Sequence, residues 1–85
     1  MKHPRKIRLF KKVRVWWVDS IFLSGWKNFN EIQPRDLRCQ SCGFLVGKTK
    51  KDILVASSID EEKTQAGGII VIPRVAITKI RVIKA

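Results

Sequence analysis

Eighty-five residues, 45% of them apolar and carrying a formal net charge of +11, describe one small basic domain with enough hydrophobic material for a compact core. The longest apolar runs, Val15 to Val18 and Ile69 to Pro73, fall far short of the roughly 20 residues a membrane span needs, and the basic N-terminus is not followed by an apolar stretch with a cleavage site. A cytosolic protein with no membrane partner is therefore expected, and two cysteines are too few for the disulfide framework of a small secreted domain.

The charge is unevenly placed. Seven of the 18 basic residues lie in the first 14 positions, and every acidic residue comes later, beginning with Asp19. Residues 1–6 lack apolar periodicity and read as a mobile basic arm, leaving residues 7–85 as the folded domain. From Ile7 to Val18 the chain is β-rich, with Val13, Val15 and Trp17 on the inner face and Arg14, Trp16 and Val18 on the other. Residues 19–34 break that pattern with Ser20, Ser24, Gly25, Asn28 and Asn30. They read as a long loop folded over the domain, with one helical turn near Asn28 to Ile32 and Trp26 lidding one end. Trp16 is left with two readings: an exposed aromatic beside arginine, able to stack on a base, or a side chain covered by that loop.

A second strand is predicted over residues 36–49, with Leu37, Cys39, Ser41, Gly43 and Leu45 on one face. Gly43 marks a bend of the kind small barrels use to turn corners. Lys48 to Asp52 is a charged hairpin turn. A third strand follows from Ile53 to Ile59, then a polar loop from Asp60 to Gln65. Gly67-Gly68 opens a fourth strand, Ile69 to Ile72. Pro73, which has no N–H to donate, ends the ladder. A 3₁₀ turn over Pro73 to Ala76 and a last strand from Ile77 to Ile83 complete the chain. This order predicts an all-β protein, a five-stranded small barrel of SH3-like or Sm-like type.

Catalysis finds little support in the residues. His3 is the lone histidine, no tyrosine is present, and Gly67-Gly68 precedes a strand rather than a phosphate-binding helix. Cys39-x-x-Cys42 supplies two of the four ligands a structural zinc needs. On a straight strand the two point to opposite faces, so ordinary strand cysteines are expected, with no metal and no cofactor. Asp60-Glu61-Glu62 reads as a solvated loop.

With catalysis set aside, a non-enzymatic binding module is expected. The first reading is contact with nucleic acid: Lys6, Arg8, Lys11, Lys12 and Arg14 of the N-terminal region, Lys48, Lys50 and Lys51 of the hairpin and Arg74 would meet phosphates, with Trp16 stacking. The second is a protein-interaction module that binds or inhibits a host protein through Phe22, Trp26 and Phe29, with charge steering the encounter. The third is a structural subunit of a ring or virion, a homo-oligomer.

Several segments together carry a likeness. They are Val15-x-Trp17-x-Asp19-Ser20, Ser24-Gly25-Trp26, Cys39-x-x-x-Gly43-Phe44-Leu45-Val46, Ile53-Leu54-Val55-Ala56-Ser57 and Ile72-Pro73-Arg74-x-x-Ile77-x-x-Ile80. Over about residues 13–83 the chain resembles a set of small proteins encoded by tailed bacteriophages. The resemblance implies a phage accessory protein working in the host cytoplasm and transfers no function. The stretch Val71 to Thr78 also looks like the strand, short turn and strand that end Sm-like RNA-binding barrels, a likeness of fold alone.

Overall fold

The computed structural model describes residues 7–19, 25–31 and 37–84. The expected arm, residues 1–6, lies outside them, as do the candidate site residues Lys6 and Phe22. The protein is mainly β. Strands β1 (Lys12–Asp19), β2 (Leu37–Lys48), β3 (Asp52–Ile59), β4 (Ala66–Pro73) and β5 (Ile77–Val82) form one antiparallel sheet in the order β4-β3-β2-β1-β5. Single 3₁₀ turns occupy Phe29–Glu31 and Arg74–Ala76. Among the described residues no helix is long and apolar enough to cross a membrane.

The sheet does not close by hydrogen bonding. β4 and β5 are its two edges, joined through Pro73 and the second 3₁₀ turn. Yet Val13 and Val15 of β1, Leu45 of β2, Ile53 and Val55 of β3, Ile72 of β4 and Ile77 and Ile80 of β5 form a single cluster, none more than 4% exposed. A flat sheet of five strands would be about 20 Å across and would leave that face wet without a second layer. Ile7, from the segment before β1, packs against the cluster together with Trp17 and Ile70.

β2 changes partner along its length. It pairs with β1 from Leu37 to Phe44 and with β3 from Phe44 to Lys48, with a register shift between Leu45 and Gly47. Gly43 sits where β2 passes from one partner to the other. A Cβ there would lie 2.3 Å from the Ala56 carbonyl oxygen and 2.9 Å from Val55 Cγ1, so only glycine allows the two backbones to approach this closely. The bend expected from the sequence at Gly43 is not marked there by any break in register: the irregularity of β2 lies between Leu45 and Gly47, and what Gly43 provides is this close approach.

Four further expectations need correction. β1 begins at Lys12, not Ile7. Phe10 adopts a left-handed backbone (φ 70°), which breaks the extended run, so Arg8 and Lys11 stand on an irregular segment. That segment is still tied down: Phe10 N–H donates to the Leu45 carbonyl at 2.7 Å and Leu45 N–H to the Lys11 carbonyl at 2.9 Å. β4 begins earlier than expected, at Ala66, so Gly67-Gly68 lies within the strand. Gly68 (φ 63°) leaves room for the Ser57 side chain, whose Oγ would sit 2.1 Å from a Cβ at that position. β5 ends at Val82, one residue short of the expected Ile83. Finally, Trp26 does not lid the sheet. It is fully exposed, and Phe29 nearly so, whereas Trp17 packs on the core cluster and donates its indole N–H to Ser41 Oγ at 3.0 Å.

Candidate nucleic-acid interface

The site is set by the register of three strands. Side chains that alternate with the buried Val13 and Val15 point away from the core. On β1 these are Lys12, Arg14, Trp16 and Val18. Directly opposite on β2 stand Phe44, Cys42, Gln40 and Arg38. On the other side, β5 places Arg81 opposite Arg14 and Lys79 opposite Trp16. One outward face therefore carries Lys12, Arg14, Arg38, Lys79 and Arg81, and none of its ten residues is acidic.

Trp16 stands at the middle of this face, partly buried. The Lys79 ammonium lies 4.8 Å from its ring centroid and the Arg14 guanidinium 5.9 Å. Arg14 Nε also reaches Cys42 Sγ at 3.4 Å. The pairing of β1 with β5 that creates this arrangement is reinforced by Thr78 Oγ1 donating to the Trp16 carbonyl at 3.2 Å. Lys12 places its ammonium 5.5 Å from the Phe44 ring.

Two clefts lie at the ends of the face. One, of about 520 Å³, is lined by Trp16, Trp17, Val18, Arg38, Gln40 and Thr78 among others. The other, of about 530 Å³, is bordered by Phe10, Lys11, Lys12, Phe44 and Lys84 with Val82 and Ile83. Phe10 in the second cleft has the Lys63 ammonium 5.7 Å from its ring.

The remaining sequence candidates divide from this face. Lys50 and Lys51 are exposed in the β2–β3 hairpin, where Thr49 Oγ1 accepts the N–H groups of Lys51 and Asp52. Arg74 joins them, its N–H donating to the Lys51 carbonyl at 2.8 Å. Its Nε is buried without a hydrogen-bond partner among the described residues. Lys48 is turned inward and donates from Nζ to the Ile7 carbonyl at 2.8 Å, so it anchors the segment before β1. Arg8 is exposed on that segment. The structure thus brings Lys12, Arg14 and Trp16 together and places Lys50, Lys51 and Arg74 in a second basic group at the hairpin.

Sequence reasoning passed over Arg38, Lys79, Arg81, Phe44 and Phe10. Alternation about the buried Ile80 turns Lys79 and Arg81 outward, while Ile77, three residues before Ile80, is also buried only because the register against β1 shifts between Trp16 and Trp17. Cys39 and Cys42 are both free thiols on opposite faces of β2. Among the described residues no group of three or more His, Cys, Asp or Glu side chains comes together. Asp60 instead closes the β3–β4 turn, its carboxylate accepting from the Thr64 hydroxyl and from the N–H groups of Thr64 and Gln65. These bonds, the Thr64 hydroxyl foremost, hold its pKa below the ordinary carboxylate value. Compared with protein-family models, curated proteins and solved structures, the chain finds no match.

Proposed function

We propose that the protein is a non-enzymatic binding module that contacts nucleic acid through the outward face of β5, β1 and β2. The observation that carries this reading is the row of five cations around Trp16 with no carboxylate among them. Cations gathered on a sheet face with no acidic partner there gain most from a polyanion, because each neutralised phosphate releases condensed counterions. Stacking a base on an aromatic ring is worth about 1–3 kcal/mol, against about 0.5–1 kcal/mol for an exposed cation–π contact. A base can therefore take the place of Lys79 or Arg14 over Trp16 and leave the cation free to meet a phosphate.

The sheet order, the register break of β2 and the 3₁₀ turn between β4 and β5 support a small barrel of the SH3-like or Sm-like kind for this module. The likeness to small tailed-phage proteins supports an accessory role in the host cytoplasm.

The test is fluorescence anisotropy of labelled oligonucleotides across a salt series. Binding should weaken steeply between about 50 and 200 mM salt. Replacing Arg14, Lys79 and Arg81 together by alanine should lower the slope of log K against log salt by about 2 for a single strand. No binding to either single-stranded or duplex nucleic acid at the lower salt removes the reading.

The exposed Trp26, Phe29, Ile69, Val71 and Val75 favour a second reading, a protein partner held by apolar contact. Stoichiometric retention of one protein after nuclease treatment, unaffected by the triple arginine–lysine variant, would select it.

A further inference from the structure

Resting on the nucleic-acid reading above, we infer that the face takes a single strand, one base on Trp16 and another on Phe44, with Arg14 and Arg81 holding the phosphates between. Trp16 is opposite Gln40 and Lys12 is opposite Phe44, so the two rings are four residues apart along β2. At about 3.3 Å per residue that is about 13 Å. Bases lying flat on two rings that far apart are unstacked from each other, so the strand between them runs splayed along the sheet. Each ring borders one of the two clefts, and Arg14 with Arg81 fills the row midway.

A duplex fits this surface poorly. The strip is three strands wide, about 10 Å between its outer strands, and it is a sheet face. The described elements hold no helix long enough to lie in a major groove, which admits a helix or a two-stranded ribbon. Both clefts are edged by an aromatic ring and a cation, a pairing that receives the flat face of a base, and a base inside a duplex has both faces already stacked. Phe10 adds to the argument. Its left-handed backbone is costly for a bulky side chain, and it sets the ring beside Phe44 in the second cleft.

The experiment measures anisotropy with oligothymidylate and oligouridylate of three, five and ten nucleotides and with a duplex, at one low salt concentration. Expected are affinities that rise until the strand is long enough to reach both rings and change little beyond that length, and weaker binding of the duplex. Whether the deoxy or the ribo series binds better identifies the nucleic acid. Trp16→Ala and Phe44→Leu should each cost the single strand roughly ten- to hundredfold while leaving the duplex affinity and the circular dichroism unchanged, and Trp16→Phe should retain most of the binding. Duplex binding as tight as the strand, or no loss in either aromatic variant while the arginine variant loses affinity, overturns the single-strand assignment and leaves the parent reading standing. Absence of binding to every oligonucleotide overturns the parent reading and this assignment with it.

Discussion

The two halves of the outward surface differ sharply. Over β5, β1 and the first part of β2 it is cationic and aromatic. Over β3 and β4 it is aliphatic, with Leu54 facing Val71 and with Val71 and Ile69 about half exposed. β4 carries no charged side chain at all. The inward surface shows no such division, being Val, Leu and Ile from all five strands. Folding needs only the inward side, so one continuous core can carry two unrelated chemistries on its back.

The strongest way to break this comparison is to attack what the halves share. Leu45→Ala, at a fully buried position in the shared core, should cost about 2–5 kcal/mol. Since 1 kcal/mol moves the melting temperature of a domain this size by about 4–8 °C, the thermal melt should fall by roughly 10 °C or more. Hydrogen exchange should show both halves losing protection together. Loss confined to β3 and β4 would mean that the halves are separate cooperative units.

A smaller effect is expected on the aliphatic half alone. Ile69→Lys with Val71→Lys should change stability by no more than about 0.5 kcal/mol per site, read by denaturant melts, and should leave oligonucleotide affinity equal or slightly higher. A loss well above that would show that these side chains are packed against something on the outward side.

The smallest effect belongs to the β3–β4 turn. Asp60 has a folded pKa lowered from 3.8, so its contribution is fully present above that value and fades as pH falls through the folded pKa. Because that pKa lies below 3.8, only the last part of the acid limb should change. Asp60→Asn should flatten that limb in an acid titration followed by circular dichroism and leave the cationic half untouched. A shift in oligonucleotide affinity would couple the turn to that half.

Much of the inward face was legible because alternation is local. Val13, Val15, Leu45, Ile53 and Val55 announce their side within a few residues. Gly43 stood out for the same reason, as a glycine interrupting an apolar alternation, although what it provides is close approach rather than a bend. The site was only half legible. Arg14 and Trp16 could be read as outward, but Lys79 and Arg81 reach them only because β5 docks beside β1 across more than 60 residues, and no local pattern encodes that docking. The irregular Ile7–Lys11 segment escaped because Phe10 takes a backbone conformation for which glycine or asparagine is the usual sign. Trp26 misled in the opposite direction. Large aromatics are usually inside, and this one is not.

Among the described residues the outer rim of β4 pairs with no strand, which has a consequence for how the protein keeps to itself in solution. Unlike β5, which presents Lys79 and Arg81, that rim has no charge to repel a neighbouring ladder, only Pro73 at one end and the glycine kink at the other. Separation of copies then falls to the long-range repulsion of eleven surplus positive charges. Added electrolyte shortens that repulsion to a few ångströms, so concentrated, salty storage is the condition that most favours strand-to-strand joining.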